Sequence, residues 1–300
     1  MPNTKSIRFA HLTDLHFTTL SQNRYPTGVP VLEAAVEDLN AQGVDFVVLT
    51  GDLFHYPDRV PEEIRAMRDI LARLKMPFYA AFGNHDVEGD EVHARKDLVM
   101  RELGDHGLSR MSPHYALSPA AGMRLVVLDS TDNGSDRYLT WRGHFSRHQA
   151  AWLHETLAES RDELAILAIH HPPVTPYPLM GALKFEETDR LRLRAAIAPH
   201  SNAPFMLCGH YHLSSSAAFA STTVLTGPSL VEHPHQYRIF TVSHHSMAHE
   251  IRYEWRQVPL LAHEDRACAR GTAMRHLALN RLSYARRGTI TVPRAGSLNS

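Results

Sequence analysis

Two side chains of the kind that hold metal ions, Asp14 and His16, stand just past a short apolar run, Ile7 to Leu12. Four later stretches repeat the arrangement, each an apolar run that stops at a polar cluster: Gly51-Asp52, Gly83-Asn84-His85-Asp86, His170-His171 and Gly209-His210-Tyr211-His212. Carboxylates, amides and neutral imidazoles on rigid strand ends bind a divalent or transition metal well and leave coordination positions open. The set comprises Asp14, Asp52 and Asn84 with His16, His170, His210 and His212, enough for two ions if Asp52 bridges. Two metals about 3.5–4 Å apart would clamp the attacking and leaving oxygens of an in-line displacement at phosphorus. Gly51, Gly83 and Gly209 fit this picture as places where the chain turns sharply beside the ligands.

The elements that position these residues follow from periodicity. Apolar runs at 7–12, 44–50, 77–82, 164–170 and 204–208 read as buried strands, with helical spacing at 31–39, 61–75, 90–103, 146–159 and 188–198 between them. Strand and helix alternate, which implies parallel pairing with right-handed crossovers and ligands at the carboxyl edge. The fold class is α/β. Past 213 the segments 214–226, 237–244 and 248–255 are β-rich without helices, so antiparallel strands on a second sheet are expected. The architecture is a four-layer α/β/β/α sandwich of two mixed sheets. Residues 1–257 are expected to form this domain, and 258–300 a basic extension of helix plus tail, docked on the domain or on a partner subunit.

Bulk composition narrows the function. Lys+Arg of 31 against Asp+Glu of 32 gives no basic footprint for nucleic acid or for a membrane surface. Histidine, at 22, is in excess, which favours a metal site. Cys208 and Cys268 are too few for a disulfide framework, and no run approaches the length of a membrane span, so a cytoplasmic protein with reduced thiols is expected.

Taken together and in order, Asp14-Leu15-His16, Gly51-Asp52, Gly83-Asn84-His85-Asp86, His170 and Gly209-His210-Tyr211-His212 resemble the five motifs of the calcineurin-like metallophosphoesterase superfamily. They are closest to its class III cyclic nucleotide phosphodiesterase and bacterial glycerophosphodiesterase branch. The resemblance covers about 7–213 and leaves the extension outside. It implies that Asp14, His16, Asp52 and His212 hold one metal ion and that Asp52, Asn84, His170 and His210 hold the other, Mn, Fe, Zn or Co. It also implies that His85 is no ligand but serves the phosphoryl oxygens or the leaving alkoxide, oriented by Asp86, while a hydroxide held at the metals attacks.

The expected activity is therefore hydrolysis of a small organic phosphodiester, a cyclic nucleotide or a glycerophosphodiester. A phosphomonoesterase such as a nucleotidase is the alternative, disfavoured because no basic cluster accompanies the motifs; a metal-loaded scaffold without turnover would show a broken motif or lack His85. His171 competes with His170 for the ligand role, since adjacent strand residues point oppositely. His11 either orients a ligand or is a buried, hydrogen-bonded histidine. His144, His233 and His235 are candidate rim contacts, and Trp141, Tyr177 and Phe185 candidate base-stacking side chains. Specificity is assigned to the loops at 17–28, 87–95, 131–145 and 172–186, and the extension is the natural candidate for a homo-oligomer contact.

Overall fold

A computed structural model describes residues 6–20, 28–87, 92–104, 107–131, 141–175, 185–246, 248–260 and 287–293. Strands β1 (Ile7–Leu12), β2 (Phe46–Thr50) and β3 (Phe78–Ala81) pair in parallel. The helices between them are α1 (Gly28–Gln42) and α2 (Val60–Leu71). Helix α1 buries Val31, Leu32, Ala35, Val36 and Leu39 and ends at Gly43, whose positive φ of 59° lets its N–H reach the Leu39 carbonyl at 3.2 Å. Helix α2 opens with Pro61, Glu62 and Glu63, where the ring fits a free turn and the carboxylates suit the dipole.

The second sheet holds β4 (Tyr115–Leu117), β5 (Met123–Val127), β6 (Leu164–Ala168), β7 (Phe205–Cys208), β8 (Ser215–Phe219) and β9 (Thr222–Thr226), in the order β4-β5-β6-β7-β9-β8. Its outer layer is α5 (Arg147–Glu159), capped where the Ser146 hydroxyl accepts the Gln149 N–H at 3.1 Å, and α6 (Glu187–Ile197). The first sheet is completed by β10 (Gln236–His244), β11 (Ala248–Gln257) and β12 (Arg287–Pro293) and runs β12-β11-β10-β1-β2-β3, with α1, α2 and α4 (Val92–Leu103) outside. A short turn of helix, α3 (Asn84–Val87), follows β3.

Period two sorts the core. Phe9, Phe46, Val48, Leu125, Ile166, Phe205 and Phe240 face the space between the sheets, while Val47 and Leu49 face the outer helices. Phe9 stacks on Phe46 at 4.9 Å and on Phe240 at 4.7 Å. The result is four layers of α/β/β/α.

Two expectations are corrected. The β-rich segments after 213, expected together on a second sheet, divide between the two sheets. Strands β8 and β9 extend the second sheet beside β7, whereas β10 (Gln236–His244) and β11 (Ala248–Gln257) return to pair antiparallel beside β1. The parallel strands left β1 at an edge of one sheet and β7 at an edge of the other, and sequence order does not choose between them. The tail is the second: Arg287–Pro293 is strand β12, antiparallel to β11 from Glu254↔Arg287 to Ala248↔Pro293, with Val292 buried between the sheets. The helix expected before it lies outside the described residues, as do most of the four loops to which specificity was assigned. No described helix is long and apolar enough to cross a membrane.

Candidate metal centre

All five polar clusters meet at one rim, where β1, β2 and β3 of one sheet end against β6 and β7 of the other. The backbone there is unusual. Asp14, His16, Asp52, His210 and His212 all have positive φ, between 40° and 71°, a region that costs a non-glycine residue of the order of 1 kcal/mol. Hydrogen bonds hold these kinks: Asp14 N–H to the Gly51 carbonyl at 3.1 Å, and His16 N–H to the Asp52 carbonyl at 2.9 Å. Each kink swings its side chain toward the gap between the sheets.

The motif glycines work in two ways. Gly51, at φ 81°, turns the chain, and a Cβ there would lie 2.6 Å from Gly83 N. Gly83 and Gly209 are not turn residues of positive φ. They make room instead, since a Cβ on Gly83 would meet Asp52 Oδ1 at 2.2 Å and one on Gly209 the Thr13 hydroxyl at 1.9 Å.

Two groups of side chains result, sharing Asp52. In one, His16 Nε2 faces His212 Nε2 at 3.0 Å and Asp52 Oδ2 at 3.6 Å, while His212 Nε2 lies 3.4 Å from Asp14 Oδ1. In the other, Asn84 Oδ1 faces His170 Nε2 at 3.2 Å and His210 Nδ1 at 3.1 Å. Asp52 Oδ2 also lies 3.4 Å from His170 Nε2, so one oxygen looks into both groups, while Oδ1 accepts the His85 N–H at 2.8 Å. Asp14 accepts the His210 N–H and the Thr13 hydroxyl, which fixes its plane.

Burial and charge set protonation. Burial holds the imidazole of His16 well below its ordinary pKa, and burial together with His170 brings that of His210 to about 3. Both are neutral, as ligation requires. Burial opposes the charge on His212, but Glu232 and Asp14 outweigh it and raise that pKa to about 10, so a metal ion at Nε2 would take the place of a proton there. For Asp14, burial raises the pKa and the charge of His212 more than offsets it, leaving a carboxylate below its usual range.

The residues fit a pair of metal ions. Ligand-type nitrogens and oxygens crowd within 3.0–3.6 Å of one another around two points, and His210 Nε2 is buried without a hydrogen-bond partner. Nitrogen with carboxylate and amide oxygen is a donor set that accepts Mn, Fe, Co or Zn.

His170 and His171 divide as alternation requires. His170 donates Nδ1–H to the Thr50 carbonyl at 2.8 Å and aims Nε2 into the centre. His171 shares a hydrogen bond with Ser130 Oγ at 2.8 Å, yet its ring lies tilted 4.4 Å from that of His210, close enough to group with His170 and His210. His11 is buried on the Thr50 hydroxyl at 2.8 Å, one layer beneath the ligands.

The expected role of Asp86 is overturned. Its carboxylate accepts the backbone N–H groups of Phe54 at 3.0 Å and Gly83 at 2.7 Å and does not touch the His85 ring. Burial and the charge of Asp52 push it up to about 7. What orients His85 is the His55 carbonyl, which accepts its Nδ1–H at 3.0 Å. Local geometry decides this: Asn84–Val87 is helical, so the side chain of Asp86 folds back on the Gly83 N–H at the start of the turn, within reach of Phe54.

Three residues of the centre escaped the sequence reading. His55 places Nδ1 3.4 Å from His16 Nδ1, Glu232 places Oε1 3.0 Å from His212 Nδ1, and Ser229 donates its hydroxyl to the Asp14 carbonyl at 2.8 Å. His55 follows Asp52 by three residues and could have been noticed; nothing local marks Glu232. Of the aromatics, Phe185 is core, Trp141 is exposed and Tyr177 lies outside the described residues. His144 faces Asp189 at 3.4 Å, and His235 is buried on the Leu230 carbonyl.

The geometry is matched by likeness to known proteins. The chain is 30% identical over 226 residues to a probable cyclic nucleotide phosphodiesterase of Rhodococcus erythropolis, covering 73% of this chain and 69% of that one. It is also 30% identical to a cAMP/cGMP dual specificity phosphodiesterase of Mycobacterium tuberculosis, over 71% of this chain and 64% of that one, so it spans about two thirds of these relatives. In fold it is similar to a dimetal phosphatase of Danio rerio, with a TM-score of 0.65, 16% identity and coverage of 96% and 99% of the two chains. A family model, that of the calcineurin-like phosphoesterases, matches residues 7–214, the stretch that carries every motif converging on this rim. The chain belongs to the calcineurin-like phosphoesterase family.

Proposed function

We propose that this protein hydrolyses a small organic phosphodiester, with a 3′,5′-cyclic nucleotide favoured over a glycerophosphodiester. Asp14, His16, Asp52 and His212 would hold one metal ion, and Asp52, Asn84, His170 and His210 a second. The observation that carries this reading is Asp52 Oδ2, which faces both His16 Nε2 and His170 Nε2 from between the two groups. When bound, the metals supply charge for the phosphoryl oxygens and acidity for the attacking water.

The chain's own residues do the rest. Asp52 is held in its bridging orientation by the His85 N–H, and His85 itself is held by the His55 carbonyl on Nδ1. With Nδ1–H committed, Nε2 of His85 is the atom that serves substrate. From Nε2 it donates a hydrogen bond to a phosphoryl oxygen or a proton to the departing alkoxide. Lys96, the buried lysine beside the rim, is neutralised by Asp129 at 2.6 Å and offers no spare charge for a monoester dianion, which supports the diester. A cytoplasmic location suits Cys208, an inert thiol that burial in β7 pushes well above its ordinary pKa.

The test compares a chromogenic phosphodiester with the matching monoester on metal-stripped protein reconstituted with Mn²⁺, followed by cyclic nucleotides and glycerophosphodiesters. Faster, metal-dependent diester turnover is expected. Faster monoester turnover would make the protein a phosphatase, and metal binding without turnover of either would make it a scaffold.

A further inference from the structure

Glu232 lies in the connection between β9 and β10, and its carboxylate is 1% exposed. A buried carboxylate needs partners, and one of them is an imidazole: Glu232 Oε1 accepts Nδ1–H of His212 at 3.0 Å. The opposite nitrogen of that ring, Nε2, faces Asp14 Oδ1 and His16 Nε2. The loop that carries Glu232 is tied to the ligand strands rather than to solvent. Gly227 N–H bonds the Cys208 carbonyl at 2.9 Å, Ser229 Oγ the Asp14 carbonyl at 2.8 Å, and Leu230 N–H the Thr13 carbonyl at 3.0 Å. His170 lacks this arrangement; its Nδ1–H goes to a neutral carbonyl, that of Thr50.

We propose that Glu232 is a positioning residue of the metal centre, holding His212 in the tautomer and orientation that present Nε2 to the ion of the Asp14, His16, Asp52 and His212 group. The assignment rests on the ligand reading above. A carboxylate on the far nitrogen fixes the ring and raises the basicity of the coordinating atom, and loss of such a partner costs about 10–100-fold in metal affinity. Glu232 does not meet substrate, because His212 stands between it and the gap.

The test is binding of Mn²⁺ to metal-stripped full-length protein, followed by competition with a chromogenic chelator and without substrate. Wild type should take up two equivalents; if it takes up none, the ligand reading fails and this assignment with it. Glu232→Ala should lose about 10–100-fold in affinity for one equivalent and leave the other near wild type. Glu232→Gln, which keeps an acceptor oxygen at Oε1, should recover most of the loss. His212→Ala should weaken the same equivalent, and adding Glu232→Ala to it should weaken it no further. Should Glu232→Ala fail to fold, Glu232→Asp, which keeps the charge and draws it back from Nδ1, should show the same selective loss with an unchanged metal-free Tm. Wild-type affinity in these variants, or additive losses in the double variant, would overturn the assignment while leaving the two-metal reading intact.

Discussion

At the scale of single residues, the centre depends on atoms that serve two neighbours at once. Asp52 is the clearest case, with Oδ2 looking into both groups and Oδ1 held by the His85 N–H. Asp52→Asn replaces one oxygen by an N–H₂ that cannot ligate. It should abolish turnover and weaken both metal equivalents by more than about 10-fold, measured by chelator competition; two tightly held ions in this variant would deny it a bridging role. His85 stands in the opposite position. Its backbone supports Asp52 while its ring is held by the His55 carbonyl, so truncating the ring leaves both metal groups in place. His85→Ala should lower kcat by about 10²–10⁴ at unchanged metal stoichiometry. Loss of an ion instead would make His85 a ligand.

At the scale of elements, the rim stays assembled because helices and strands of different sheets are pinned together beneath it. Lys96 of α4 reaches across to Asp129, just past β5, at 2.6 Å, and both side chains are buried. Breaking a buried pair by removing one partner costs about 3–5 kcal/mol, because the other charge is left without compensation. Lys96→Ala is therefore expected to destabilise by about that amount in urea unfolding, and the joint replacement Lys96→Met with Asp129→Leu by much less. The pair also carries a pH signature. Burial raises the pKa of Asp129, but the charge and hydrogen bond of Lys96 outweigh it, so its folded value lies below the unfolded one. The stabilisation is then fully present above about pH 4, the unfolded value, and is lost as pH falls through the folded pKa. Asp129→Asn should flatten the acid limb of the stability curve there; an unaltered limb would mean that other carboxylates set it.

At the scale of the whole molecule, the C-terminal segment closes the first sheet. Val292 of β12 is buried between the sheets and Ile290 is half-buried against the same core; full burial of one such side chain contributes about 1.5–3 kcal/mol. Deleting residues beyond 260 would remove both and bare the edge of β11, an open template for other chains. The truncated protein should show a lower Tm and concentration-dependent aggregation yet still bind two equivalents of Mn²⁺, since the rim lies at the other side of β10 and β1. A truncated chain with an unchanged Tm would show that β12 adds little; one that cannot bind metal would show that the sheet edge and the rim are coupled.

The sequence by itself determined the ligand strands, the layers and the residues that meet at the rim, because each of these is written locally. Strands announce themselves by apolar runs, helices by their period, and the clusters of Asp14, Asp52, Asn84, His170 and His210 by standing where those runs stop. Alternation along the strand allowed only one of His170 and His171 to face the metals, and the place of His170 nearer the strand end, with its match to the family motif, favoured it. Tertiary structure alone decided which sheet each strand joins and which second partner each ligand has. Strand β10 lies beside β1 although more than two hundred residues separate them, and Glu232 meets His212 through a loop whose own sequence marks no site. The same holds for Asp86, whose type suggested an orienting carboxylate and whose helical turn folded it back on Gly83 and Phe54. A side chain's type fixes what it can bond to, but the distance and angle at which a partner arrives depend on how every intervening strand packs, and that is not encoded in any one stretch.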